Sequence, residues 1–120
     1  MSARPITSGA VDWAAVPADM VAAQITGRSL TGEQLSVTVF ELEPGAVVPR
    51  HAHPSEEFGY VVRGALHLSV ADGDEQTVTA GGTFFVGPEL THSAVAGPDG
   101  CTLLECYSPP RVPKPVEEAT

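Results

Sequence analysis

The most constraining feature of the sequence is the stretch from Gly45 to Gly64, which spaces two histidines and a carboxylate as in a metal site. Side chains at positions i and i+2 of a β-strand lie on one face, so His51 and His53 can bind the same ion. The intervening Pro-Ser-Glu segment turns the chain, and Glu57 can then return on the adjacent antiparallel strand. The spacing predicts a metal site carried by β-strands.

The rest of the chain consists of short β-type runs separated by turn residues. A strand is predicted over residues 20–30, another over 35–42 that is rich in valine, threonine and phenylalanine, and a last core strand over 101–107. The Pro44-Gly45 pair marks the turn before the histidines. No stretch has a helical period of useful length, so the sequence predicts an all-β fold.

Alternation along the strands separates inner from outer residues. Counting by twos from Glu57 leaves Phe58, Tyr60 and Val62 on the outer face, where three apolar groups need cover. We therefore expect a homodimer, with the N-terminal arm as an alternative cover. The same alternation points Tyr60 away from the metal, which disfavours it as a catalytic acid. His67 alternates with leucines and is interpreted as a surface or interface histidine.

The last strand offers three further polar side chains. Leu103, Glu105 and Tyr107 share one face by alternation, and the following prolines carry Arg111 towards the rim. A carboxylate, a phenol and a guanidinium can then converge near the metal, where arginine reads a carboxylate and glutamate moves protons. The alternative is a buried strand with an ion pair between Glu105 and Arg111 on the outer surface.

Charge and cysteine content narrow the function classes. A net charge of −9 repels phosphate backbones and anionic membranes, so neither nucleic acid nor membrane is an expected partner. No run approaches the ~20 apolar residues of a membrane span. The N-terminus lacks the features of a secretory signal, which predicts a cytoplasmic location. Cys101 and Cys106 face opposite sides of one strand, so they are interpreted as small hydrophobic residues rather than a disulfide.

The spacing Gly-x5-His-x-His-x3-Glu-x6-Gly of residues 45–64 resembles the first signature of the cupin superfamily at every specified position. The run 81–94, GGTFFVGPELTHSA, is similar to the second signature. Gly81 and His92 match it, whereas Gly87, Glu89 and Ala96 stand where the family usually has proline, glycine and often asparagine. The resemblance implies a single-domain cupin-type β-barrel, a double-stranded β-helix, with His92 as the fourth metal ligand.

Within that resemblance the 120 residues divide into three parts. Residues 1–19 are interpreted as an N-terminal arm that lies on the barrel, with Trp13 as its apolar anchor. Residues 20–110 form the cupin barrel, and the proline-rich residues 111–120 form a C-terminal tail without regular structure.

The implied ligand set is three imidazoles and one carboxylate, which suits one divalent transition metal. Iron, manganese, nickel, cobalt and zinc all tolerate this set, and it leaves coordination positions open for water or substrate. A metal-free barrel that serves only as a scaffold is the alternative.

The ending of the chain resembles that of small cupins that process unsaturated uronates from pectin and alginate. This resemblance implies that Glu105 is the acid or base, Tyr107 the aromatic residue and Arg111 the clamp for a substrate carboxylate. Glu105 stands where those proteins usually have aspartate, and Glu57 where glutamine is common. The first functional hypothesis is a metal-dependent lyase or isomerase acting on a small sugar oxoacid. A dioxygenase of the quercetinase or thiol-oxidising kind and a non-catalytic ligand-sensing cupin are the alternatives.

Overall fold

The protein is nearly all β-structure in the computed structural model, which describes residues 3–113. One turn of 3-10 helix covers Trp13–Ala15, and within the described range no α-helix is present. None of the helical structure there is long and apolar enough to cross a membrane. The strands are β1 Arg4–Pro5, β2 Asp19–Ala22, β3 Ile25–Thr31, β4 Ser36–Leu42, β5 Val47–His51, β6 Glu56–Val70, β7 Gln76–Thr79, β8 Thr83–Val86 and β9 His92–Ser108.

These nine strands form one sheet with the order β1-β3-β4-β9-β6-β7. In addition, β2 pairs with β3, β5 pairs with β9 and β8 pairs with β6. All pairs are antiparallel except β1 with β3. The sheet folds over as a β-sandwich and does not close into a complete barrel. The predicted all-β class is confirmed, and the two faces enclose a single apolar core.

The two long strands β6 and β9 bend sharply in the middle. An extended strand of 15 residues spans about 50 Å, whereas the whole molecule measures only 38 Å along its longest axis. The β6–β9 register shifts between Val61 and Arg63 and again between Gly64 and Leu66. Gly64 and Gly100 both have φ near +80° and lie against each other at this bend. The bend allows residues at opposite ends of β6 and β9 to face each other.

Replacing Gly64 by alanine should destabilise the fold strongly. The added Cβ would overlap the carbonyl oxygen of Gly100, and φ of +82° is unfavourable for any residue with a side chain. We expect the free energy of unfolding to fall by about 2–4 kcal/mol in urea denaturation.

Gly45→Ala is the matched control for this bend. Gly45 also has positive φ, at +73°, but no atom lies within 4 Å of its added Cβ. Only the conformational cost of about 1–2 kcal/mol applies there. Equal losses in the two variants would show that the contact with Gly100 does not matter.

Two strand predictions were wrong in their extent. Residues 20–30 form a hairpin of β2 and β3 rather than one strand, because Gln24 adopts φ of +65° and reverses the chain without a glycine or proline signal. Residues 101–107 are the second half of β9, which already begins at His92. The strand bends at Gly100, which has φ of +81°, and continues beyond it.

The N-terminal arm is attached by strand β1 and by Arg28. The Arg28 guanidinium donates to the carbonyl oxygens of Trp13 and Val16, at 3.2 and 2.5 Å. Val16 is 2% exposed, whereas Trp13 is only half-buried, so Val16 rather than Trp13 is the main apolar anchor. Residues 111–113 have no regular structure, and the rest of the predicted tail, 114–120, lies outside the described residues. The domain boundaries at 19/20 and 110/111 stay predictions.

The outer face of β6 has the predicted apolar character. Glu57 and Val61 are buried, whereas Tyr60 and Val62 are exposed by 39% and 52%. Phe58 packs edge-on against Phe85 with ring centroids 5.3 Å apart, and Phe85 itself is 68% exposed. The homodimer expected from this face stays a prediction.

Candidate metal centre and its cavity

Three histidines come together at one end of the sandwich. His51 is the last residue of β5 and pairs directly with His92, the first residue of β9. Their ring centroids are 4.2 Å apart, and the ring of His53 lies 4.9 Å from His92 and 5.5 Å from His51. One nitrogen from each ring lies within 4.8 Å of the other two, as a shared ion requires.

The local structure differs from the predicted pair of adjacent strands. His53 lies beyond the end of β5, because the chain leaves the strand before Pro54, which has no N–H to donate to a ladder. Glu57 is on β6, which pairs with β8 and β9 and not with β5. It reaches the histidines because β6 bends. Glu57 and the histidines were predicted to meet on two adjacent strands, but they come together through the curvature of the sheet.

Backbone carbonyls fix the tautomer of all three histidines. A carbonyl oxygen only accepts a hydrogen bond, so each Nδ1 in contact with one carries the proton, and each Nε2 presents a lone pair. The Nδ1 atoms of His51, His53 and His92 donate to the carbonyl oxygens of Pro49, Ser55 and Leu90 at 2.8, 3.0 and 2.9 Å. Such contacts orient metal-binding imidazoles in general.

Glu57 faces two of these lone pairs. Its Oε1 lies 3.0 Å from Nε2 of His53 and 3.3 Å from Nε2 of His92. Two acceptors this close need a proton or a cation between them, and the buried Nε2 of His92 has no hydrogen-bond partner. Ligand atoms about 2.1 Å from one ion at 90–110° are separated by roughly 3.0–3.4 Å. The donor set therefore fits a divalent transition metal.

The three polar residues of the last strand face the same interior. Leu103, Glu105 and Tyr107 are exposed by 3%, 8% and 2%, which confirms that they share an inner face. The Tyr107 hydroxyl donates to Glu105 Oε1. Burial of Glu105 excludes the alternative of an outer ion pair with Arg111. His67 instead pairs with Thr77 on the other face of β6, away from the histidine cluster.

The pKa values of the two buried glutamates, Glu57 and Glu105, are shifted in opposite directions. Burial raises the pKa of Glu57, but the neighbouring His92, Glu105 and His53 outweigh burial and lower this pKa to about 2. Burial, followed by the neighbouring Glu57 carboxylate, raises the pKa of Glu105 well above its usual value. Glu57 is therefore the anion that a cation needs, and Glu105 is a neutral acid that can donate a hydrogen bond.

The pKa values of His51 and His92 are also shifted in opposite directions. Burial and the nearby positive charges lower the pKa of His51, although its contact with the Pro49 carbonyl opposes this effect. Burial also lowers the pKa of His92, but Glu57 and the Leu90 carbonyl outweigh it, so the net pKa is raised. A proton therefore competes with a metal ion better at His92 than at His51.

Stability of the metal-free protein should fall as pH rises above 4.5, the unfolded pKa of Glu105. A group whose folded pKa is raised stabilises the fold below its unfolded pKa, 4.5 for Glu105, and this contribution is lost as pH rises towards the folded value. The slope should approach 1.4 kcal/mol per pH unit, about one proton. His92 acts in the same direction above pH 6.5, and the depressed pKa of Glu57 matters only below 4.5.

Denaturation with a chelator present, from pH 6 to 9, checks this pH dependence. Glu105→Gln cannot ionise and should flatten the slope, leaving only the contribution of His92. A slope that is the same in both proteins would contradict the assignment of the proton to Glu105.

Two serines that the sequence analysis did not single out hold the end of the chain over the site. The Ser36 hydroxyl accepts from the Arg111 backbone N–H at 2.9 Å and donates to the Arg111 carbonyl oxygen at 2.8 Å. The Ser55 hydroxyl donates to the Pro109 carbonyl oxygen at 2.7 Å. The Arg111 guanidinium lies 5.4 Å from the Tyr107 ring centroid. Buried serine has no distinctive spacing, so only the fold identifies these contacts.

The candidate metal centre adjoins a cavity of about 260 Å³. The polar lining consists chiefly of His51, Glu57, His92, Glu105, Tyr107 and Arg111. Ligand pockets usually measure about 300–1,000 Å³, so this cavity suits a small molecule. The architecture and the site together define a metal-binding β-sandwich with a small-molecule cavity.

The family description "Cupin domain" matches residues 38–105, and the chain belongs to the cupin family. It superimposes on an RmlC-like cupin from Shewanella frigidimarina with TM-score 0.80 and 29% identity, covering 88% of this chain and 94% of that one. KdgF from a Halomonas species gives TM-score 0.73 and 25% identity, covering 79% and 87%.

More distant structures share the fold alone. An oxalate decarboxylase from Bacillus subtilis, in a variant with one tryptophan replaced by tyrosine, gives TM-score 0.74 at 20% identity. The match covers 86% of this chain but only 31% of that one. Another structure of the same enzyme is described by its Mn(II) centres. No curated protein matches the chain.

Proposed function

We propose that this protein is a metal-dependent lyase or isomerase that transfers a proton on a small carboxylate-bearing substrate. The observation that supports it best is the burial of Glu105 and Glu57 in one cavity that His51, His92 and Arg111 also line, where the pKa of Glu105 is raised and that of Glu57 is lowered. Two carboxyl groups whose environments push their pKa values apart are characteristic of acid and base chemistry.

His51, His53, His92 and Glu57 would hold the ion. Three neutral imidazole nitrogens and one carboxylate oxygen are its ligands, and the backbone contacts keep the imidazoles in the correct tautomer. Manganese, iron, cobalt, nickel and zinc all accept such ligands. A bound divalent metal supplies Lewis acidity, which polarises a substrate oxygen and stabilises negative charge that develops on it.

Glu105 would carry the proton. Burial and the neighbouring Glu57 carboxylate raise its pKa and so favour the protonated carboxyl group, which can donate a proton to a substrate atom and take one back in a later step. Tyr107 orients the carboxyl group through its hydroxyl hydrogen bond. Burial of both residues excludes bulk water, which would otherwise exchange the proton before transfer.

Arg111 would bind the substrate carboxylate. Arg111→Ala should weaken substrate binding by about 1.5–3 kcal/mol, the value of a charge-assisted hydrogen bond, and leave metal content unchanged. Arg111→Lys keeps the charge but loses the bidentate contact. Its affinity for the substrate should therefore lie between those of the unchanged protein and Arg111→Ala. Calorimetric titration of the metal-loaded protein with the substrate measures this effect. Equal affinity in all three proteins would exclude Arg111 as the carboxylate clamp.

An arginine in the cavity favours a carboxylate ligand over flavonol or thiol substrates, which do not require a guanidinium partner. Oxygen consumption on a substrate panel separates a dioxygenase from a lyase or isomerase. Turnover of any substrate excludes a purely ligand-sensing role. The cytoplasmic location stays a prediction.

A further inference from the structure

We propose that the cavity selects small carboxylic acids whose body beyond the carboxylate is apolar, and that it discriminates against polyhydroxylated sugar acids. The inference rests on the proposed function, because the metal centre and Arg111 are taken as the site of the polar head group. It narrows the substrate class to acids with an apolar body. The site residues resemble those of uronate-processing cupins, whereas the wall of the cavity is apolar.

The lining changes from polar to apolar immediately behind the metal centre. Leu68 pairs with Ala94, two residues along β9 from His92, and Leu103 lies two residues before Glu105 on the same face. Further in, the wall is formed by side chains such as Ile25, Phe40, Leu42, Leu66 and Phe84. All five are at most 8% exposed. A ligand longer than its head group must therefore place its body against hydrocarbon.

Backbone groups of the inner strands cannot replace the missing polar side chains. Strand β4 pairs with both β3 and β9, and β9 pairs with β6 along most of its length. Their N–H and C=O groups are used in these ladders and are not free to bind a ligand. Ser93 also contributes to the lining, but alternation along β9 points its side chain away from the face of His92 and Ala94. A ligand hydroxyl against the wall formed by β4 and β9 would remain unpaired.

The size of the cavity sets the scale of the ligand. At about 260 Å³ it is smaller than most ligand pockets, so the apolar body is a short chain or one ring. An unpaired hydroxyl in such a site loses its hydrogen bonds to water without replacement, whereas each buried CH₂ gains affinity.

The test is calorimetric titration of the full-length, zinc-loaded protein with two sets of acids. The first set is the straight-chain series from acetate to hexanoate. Affinity should rise about threefold to fourfold per added CH₂ until the cavity is full. The second set is cyclohexanecarboxylate and glucuronate, which share a six-membered ring and a carboxylate. Glucuronate should bind at least tenfold more weakly.

Val48 and Val47 provide a matched pair of variants on β5. Val48 lines the cavity and is half-buried, whereas Val47 is 55% exposed and is not part of the lining. Val48→Thr should weaken hexanoate binding by about threefold or more and leave acetate unchanged, because it adds a hydroxyl to the wall at nearly constant volume. Val47→Thr should change neither the affinity for hexanoate nor the affinity for acetate.

Failure of this inference and failure of the proposed function give different results. If the acids bind, but with affinity independent of chain length or with glucuronate as tight as cyclohexanecarboxylate, the apolar selection is wrong and the carboxylate site stands. If none of the acids binds, or if they bind equally well to Arg111→Ala, the carboxylate site itself is wrong and the inference fails with it.

Discussion

Replacing Glu105 by glutamine should lower turnover by about 10²–10⁴-fold, the usual contribution of a positioned general acid or base. Glutamine preserves the shape of the side chain and can still accept from the Tyr107 hydroxyl, but it cannot donate a proton to a reacting atom. Glu105 is not one of the four proposed ligands, so the bound metal should remain near one equivalent. A loss in kcat with little change in KM is the expected kinetic signature.

Glu41→Gln is the matched control for this experiment. Glu41 makes the same kind of contact, accepting from the Thr102 hydroxyl, but it is exposed on the outside of the neighbouring strand. Its replacement should leave turnover and metal content unchanged. If Glu105→Gln retains full activity while binding metal normally, Glu105 does not transfer the proton.

Replacing His53 and His92 together by alanine should remove most of the bound metal. Even partners that only orient a ligand contribute 10- to 100-fold to metal affinity, so loss of two ligands should exceed about 100-fold. Plasma emission analysis after dialysis against a weak chelator measures the retained equivalents. His67→Ala is the control, because that histidine bonds Thr77 away from the cluster. A double variant that keeps one full equivalent would show that the ion binds elsewhere.

The sequence predicted which side chains lie close together better than the way they are brought together. The cupin spacing includes the three histidines that cluster, and alternation on β9 placed Glu105 on the inner face. These inferences succeeded because period-two alternation is a local property of strands. The ligand role of Glu57 stays a prediction, supported by its distances to two imidazole nitrogens.

The pairing of β5 and the bends of β6 and β9 could not be predicted from local signals. A bend at Gly64 against Gly100 depends on two segments that are far apart in the sequence, and each glycine alone indicates only a turn. The reversal at Gln24 uses a residue type that carries no turn signal. The hydrogen bonds of Ser36 to Arg111 and of Ser55 to Pro109 also join segments that are far apart in the sequence.

The most direct test of the central claim is X-ray absorption spectroscopy on protein loaded with one equivalent of manganese or cobalt. Three imidazole nitrogens and one carboxylate oxygen should account for the protein ligands, with the remaining positions occupied by water. Addition of a small carboxylate ligand should alter the oxygen shell and leave the imidazole contribution unchanged. A first shell that contains sulfur from a cysteine, or fewer than two imidazoles, would contradict the proposed metal centre of His51, His53, His92 and Glu57.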